Sequence, residues 1–403
     1  MKKNIIYILM ALAVVGFTAC ESDDTDFSDI INDVVAPVVV AVDSTALAEQ
    51  RDVVVTDPTA EAYNDYVENS TFNRTLLIRY AGEQATVSGT VSGVTVSTNG
   101  AHVTVTSTVG RLNLRLTGAS SNGSLKVYSE NKYRLSLEGV TLTNPNGAAI
   151  NNQCGKTLYV VLADGSYNTF ADGTTYADVD DEDCKGAFFS EGQVVFSGYG
   201  SLKVEARGRH GIASDDYLRF RPGGRYYVHA TSGHGMKAND GITIDGSVIN
   251  VEVDGDSYKG LNSDSHVTVS GGRTTLITRG DCTITTTAGV ADTTSCAALK
   301  CDAAFAMSGG TLRMLSTGDA GKGLNAGTTI NVTGGELVAV AMGTRKLGTP
   351  KAVKSTLGTT IAGGKFYAFS YRNAPLDVGG KLVVAPGYTT YDTSHRQLVL
   401  VVF

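Results

Sequence analysis

The 403-residue chain has no tryptophan, so a sugar site built on indole platforms is excluded, although 18 tyrosines remain. Charged residues make up only 18%, which is low for a helical protein. The balance is acidic, with 33 basic against 40 acidic residues. That argues against a general nucleic-acid binder, because counterion-release binding needs a basic surface. No Cys-x-x-Cys pair or Cys/His zinc spacing occurs, and no serine or cysteine hydrolase arrangement is indicated. Only Ile5 to Val15 forms a long apolar run, too short to span a bilayer as a helix. What is abundant is glycine, 47 residues, and the 42% hydrophobic content excludes a disordered chain.

Lys2 and Lys3, the apolar run, and Phe17-Thr18-Ala19-Cys20 read as a secretory signal that ends at a cysteine. The four residues resemble the lipobox of bacterial lipoproteins, which implies that Cys20 is acylated. The acidic run Glu21 to Asp26 resembles the signal that sends some lipoproteins to the outer face of the outer membrane. The expected organisation is a signal peptide (1–19), an acylated Cys20 with a flexible tether (20–60, with one short strand at Val38 to Val42), and one domain (61–403). Contact with the membrane is expected through the lipid anchor only.

From Thr75 onward, β-branched residues alternate with polar ones between Gly, Asn and Ser, which predicts short strands and no sustained helix. Self-comparison aligns Gly186, Gly211, Gly235, Gly260, Ala298, Gly323 and Ala352, at intervals near 25 residues with one of 38. Each is followed by a strand, a polar turn and a second strand, then a pair such as Gly271-Gly272 or Gly309-Gly310 and a third strand. A 25-residue unit cannot bury its own apolar face, but stacked units can. The expected fold is all-β: a single-stranded, right-handed parallel β-helix of about 25 residues per coil, its coils about 4.8 Å apart. Propeller blades, at roughly 40 residues or more, are too long for this period. The column Ser214, Ala238, Ser263, Cys301, Ala326, Ser355 is small throughout, as a tight inner corner requires. The 38-residue interval places an insertion between Asp281 and Cys296, and a second one at Asp172 to Asp183.

Leu137-Glu138-Gly139-Val140-Thr141-Leu142-Thr143-Asn144, Gly147-Ala148-Ala149-Ile150 and Val161 to Phe170 with Asp172-Gly173 resemble the opening block of a bacterial carbohydrate-binding family. The resemblance extends over roughly residues 60 to 403, with Ser166 where Thr is more usual. It implies a pectate-lyase-like β-helix that binds polygalacturonate or cellulose-type glycans and carries calcium.

Two columns of donors follow from the repeat. One reads His210, His234, Lys259, Ala297, Lys322, Lys351; the other reads Ala213, Lys237, Asn262, Lys300, Asn325, Lys354. Ammonium and amide donors at regular intervals suit a polymer of uronates, and the alternative is an ordinary solvated face or asparagine ladder. A lyase base would need a depressed lysine pKa. Lysines two coils apart repel by only about 0.4 kcal/mol in water, too little to supply it. Calcium is expected at Asp172, Asp178, Asp180, Asp181, Glu182 and Asp183, or on the turn column Asp215, Asn239, Asp264, Asp302. Cys154 with Cys184 and Cys282 with Cys296 bracket the two insertions and are expected as disulfides, with Cys301 buried alone. The expectation is a monomeric, non-catalytic surface lipoprotein that binds an acidic polysaccharide. A polysaccharide lyase or an adhesin with a protein partner are the alternatives.

Overall fold

A computed structural model describes residues 52–177, 182–386, 389–393 and 397–401. The signal peptide, Cys20, the strand expected at Val38 to Val42, and Asp178, Asp180 and Asp181 lie outside the described residues.

Among the described residues the strands form a 21-stranded sheet, a twelve-stranded sheet and a two-stranded hairpin, and the only helical elements are two short 3-10 turns. Pairing is parallel from coil to coil, giving a β-solenoid of about 11 turns with about 25 residues per turn. Period-two alternation sends one set of side chains inward. Ile212, Met236, Leu261, Leu299, Leu324 and Val353 stack in register and are fully buried. Each such side chain contributes roughly 1.5–3 kcal/mol of hydrophobic stabilisation. The small column Ser214, Ala238, Ser263, Cys301, Ala326, Ser355 also stacks in register and is buried.

The second glycine makes the corner at Gly272, Gly310, Gly335 and Gly364, each with positive φ. Gly272 has φ 76°, and a Cβ there would lie 2.2 Å from the Ser247 carbonyl oxygen of the preceding coil. Positive φ and close backbone approach together demand glycine.

Two expectations need correction. Gly186 pairs with His210 and Phe188 with Ile212, so Ala187 stands against Gly211 and that coil is one residue shorter than the repeat. The tether expected to run to residue 60 is already packed chain at Asp52, whose carboxylate lies 2.5 Å from Arg221. Residues 52–70 run along one side of the coils. Arg221, only 1% exposed, takes Asp52 and Glu68 as partners and lies over the Tyr66 ring. Arg219 pairs with Asp65 and Asp245 at 2.7 Å. The insertion after Asp281 is an antiparallel hairpin, Thr283–Thr287 with Val290–Thr294.

Candidate functional site

The outward side of the twelve-stranded sheet carries the donor columns. Ala213, Lys237, Asn262, Lys300, Asn325 and Lys354 occupy one register line, as the repeat implies. Ala297 pairs with Lys259 and with Lys322, and Lys322 pairs with Lys351 in the second line.

The lysines are not equivalent. Lys237 pairs with Asp264 of the next coil, and Lys300 Nζ lies 2.6 Å from Asp302 Oδ1. Those two ammoniums are neutralised locally. Lys259 is 7% exposed, donates to the Ser257 carbonyl at 2.7 Å, and has its pKa pushed down to about 8 by burial, then by Lys300. Burial also lowers Lys322, which donates to the Ala320 carbonyl at 3.3 Å. Among the described residues, Lys322, Lys351 and Lys354 have no carboxylate within ion-pair distance, although Asp377 pairs in register with Lys354. The cationic part of the face is therefore its C-terminal end.

Nδ1 of His210 and Nδ1 of His234 are both taken up within the coils. His210 Nδ1 accepts the backbone N–H of His234 at 2.9 Å, and His234 Nδ1 accepts that of Lys259 at 3.1 Å. These bonds require an unprotonated Nδ1. Burial, then the charge of Lys237, takes His210 down to about 4, and burial holds His234 well below its usual range.

The acidic candidates divide by partner. Asp172 is fully buried; its carboxylate accepts backbone N–H groups of Arg207 and Gly208 at 2.5 and 3.2 Å and the Tyr176 hydroxyl at 2.8 Å, so it caps a turn. Glu182 pairs with Lys126 at 2.6 Å and accepts from the Tyr128 hydroxyl. Asp183 and Asp215 share the ammonium of Lys185, at 2.8 and 2.6 Å. Carboxylate oxygens of Asp183, Glu191 and Asp215 all lie within 4.8 Å of one another. Burial, then Asp215, raises the Glu191 pKa. Glu191 was missed in the sequence. Because Ser190 pairs with Ser214, Glu191 precedes Asp215 in the same turn column, and only the one-residue register error concealed it.

The cysteine expectations also separate. Cys154 and Cys184 are free thiols. Ile150 pairs with Phe188 and Asn152 with Ser190 in parallel, so Cys184 precedes this strand pair while Cys154 follows it. Cys282 and Cys296 are fully buried thiols with sulfurs 3.2 Å apart at the base of the hairpin, in contact but unbonded. Cys301 is buried in the small column.

No curated protein matches the chain. A solved structure described as the polysaccharide lyase-like protein from C. thermocellum, in a gadolinium derivative, is similar at 18% identity and a TM-score of 0.38, over 78% of this chain and 98% of that one. A family model described as carbohydrate-binding domain-containing protein matches residues 99–374, more than half of the chain and including the whole of the donor face up to Lys354; the chain belongs to that carbohydrate-binding family.

Proposed function

We propose that this protein is an outer-surface lipoprotein that holds polysaccharide along the outward side of the twelve-stranded sheet without cleaving it, and that the polymer carries uronate groups. The observation that carries the reading is the register-matched donor line Lys237, Asn262, Lys300, Asn325, Lys354 within the matched family region. Lys322, Lys351 and Lys354 would receive carboxylates, and Asn325 would meet hydroxyls. The acylated Cys20 would anchor the domain, facing the cell exterior, as a monomer.

Calcium is implied by the family resemblance, and the donor chemistry fits at Asp183, Glu191 and Asp215, three carboxylates close enough to share one hard cation. The Lys185 ammonium already holds two of them, so the ion would compete with it. Affinity electrophoresis of residues 21–403 in gels containing polygalacturonate, run with calcium and with chelator, tests both claims. Retardation with calcium alone is expected. No retardation in either gel would remove the uronate assignment.

A lyase is the second reading, favoured by one observation: Lys259 is a buried amine beside the donor line whose pKa burial pushes down to about 8. Ultraviolet absorbance of an unsaturated uronide released from polygalacturonate would establish it, and its absence with wild-type protein would leave binding alone.

A further inference from the structure

The face described above is charged in two different ways along its length, and this bears on the chemistry of its ligand. The inference rests on the reading of that face as the carbohydrate site. In the coils of Lys237 and Lys300 every ammonium is matched by a carboxylate, and the carboxylates are the outer members. Asp264 and Asp302 side chains are 50% and 48% exposed, against 15% and 30% for Lys237 and Lys300. Between the two lysines, in the same register line, lies Asn262, only 6% exposed, with a buried Oδ1 that has no hydrogen-bond partner. A buried amide oxygen without a donor has given up its hydration with nothing in exchange. Asn262 stands in register between the two paired lysines.

We propose that this stretch is a subsite for neutral, hydroxyl-rich sugar residues, and that the ligand is a mixed polymer in which neutral residues adjoin a uronate. Sugar hydroxyls donate to the exposed oxygens of Asp264 and Asp302. The released ammonium of Lys237 or Lys300 then donates to Asn262 Oδ1, so the lost ion pair is offset by filling a vacant acceptor. A uronate polymer placed here would instead set its carboxylates against Asp264 and Asp302, which is repulsive. The anionic residue belongs about two coils further on, ~10 Å from Asp302, where Lys351 and Lys354 have no carboxylate within ion-pair distance among the described residues. The charge order along the face, neutral pairs and then free cations, thus dictates the order of sugars.

The test uses residues 21–403 in affinity electrophoresis with three probes: polygalacturonate, a neutral galactan, and a rhamnogalacturonan in which neutral and uronic sugars alternate. The mixed polymer is expected to retard wild type most, by at least about threefold in apparent affinity over polygalacturonate. Asp264→Asn with Asp302→Asn should erase that preference while polygalacturonate binding stays or improves. Lys351→Ala with Lys354→Ala should weaken both uronic polymers. Asn262→Leu removes the orphaned oxygen, so it should raise thermal stability yet weaken the mixed polymer several-fold. A change in stability with unchanged binding would make Asn262 a folding feature only and overturn the exchange. Equal or tighter binding of polygalacturonate by wild type, or indifference to the Asp substitutions, would overturn the mixed-polymer assignment while leaving the carbohydrate face intact. Binding of none of the three would overturn the face itself and this inference with it.

Discussion

His210 and His234 stack ring over ring, 4.7 Å between centroids and 7° from parallel, and His210 Nδ1 accepts the His234 backbone N–H. Tyr258 closes the stack edge-on against His234. A ring that accepts at Nδ1 carries its proton on Nε2, so the ladder exists only while both rings are neutral.

That neutrality makes the coil acid-sensitive. Burial lowers His210 to about 4, against about 6.5 in the unfolded chain. Between those values the unfolded state binds more protons, so stability falls as pH drops from about 6.5 to 4. The loss from His210 is up to about 3 kcal/mol, with His234 adding in the same direction. Urea midpoints of wild type and His210→Gln at pH 7 and pH 4.5 check this. Wild type should lose more than the variant, and equal losses would show that protonation of this ring is not linked to folding.

His229 has the opposite sign. Hydrogen bonds to Asp254 and Glu205, at 2.9 and 3.1 Å, raise it to about 9. Its contribution is complete below about 6.5 and disappears as pH rises through about 9. The cluster also holds Arg279, at 2.9 Å from both Glu252 and Asp254, and lies at the surface. After screening, the effect should be about 1 kcal/mol. His229→Gln should melt lower than wild type at pH 6 and match it at pH 10, and added salt should shrink the gap.

The solenoid made much of this readable, because equivalent positions in successive coils become neighbours in space. Lys237, Asn262 and Lys300 were therefore legible as one line, and Ser214 to Ser355 as one corner. What failed depends on contacts across columns. The Lys237–Asp264 pair joins two columns and two coils, and the low pKa of Lys259 comes from what packs over it, which no spacing in the repeat encodes. Cys154 and Cys184 bracket an insertion in sequence, yet parallel register puts them on opposite sides of a strand pair. The Nδ1 bonds of the histidines depend on ring orientation, which no repeat encodes.

The corner glycines predict a second kind of sensitivity. At Gly272 a methyl group would meet the Ser247 carbonyl oxygen and would force a left-handed φ on alanine. Gly272→Ala should destabilise by roughly 2–4 kcal/mol, the sum of a strained backbone and a displaced neighbouring coil. Gly165, with φ 67° and open space around its Cβ position, is the control. Gly165→Ala keeps the dihedral strain and lacks the clash, so it should cost about 1 kcal/mol. Equal costs at the two sites in thermal melts would remove the close-approach argument and leave only the dihedral.

The thiols at the hairpin base give the last prediction. The sulfurs of Cys282 and Cys296 share a hydrogen bond, and this contact, with the Cys296 backbone N–H donating to Cys282 Sγ, lowers the Cys282 pKa and leaves the more reactive sulfur facing its partner. Attack of a thiolate on an oxidant, followed by the second sulfur, would close a loop of about 15 residues, worth up to about 3 kcal/mol in the chain-entropy picture. Mild disulfide exchange should therefore remove one pair of free thiols and leave Cys154, Cys184 and Cys301 titratable after denaturation. Peptide mapping should place the bond at Cys282 and Cys296, and thermal unfolding should move upward. A bond to Cys154 or Cys184 would contradict the parallel register of this region. Two free thiols that persist at the hairpin base under oxidant would mean that burial there shields the sulfurs completely.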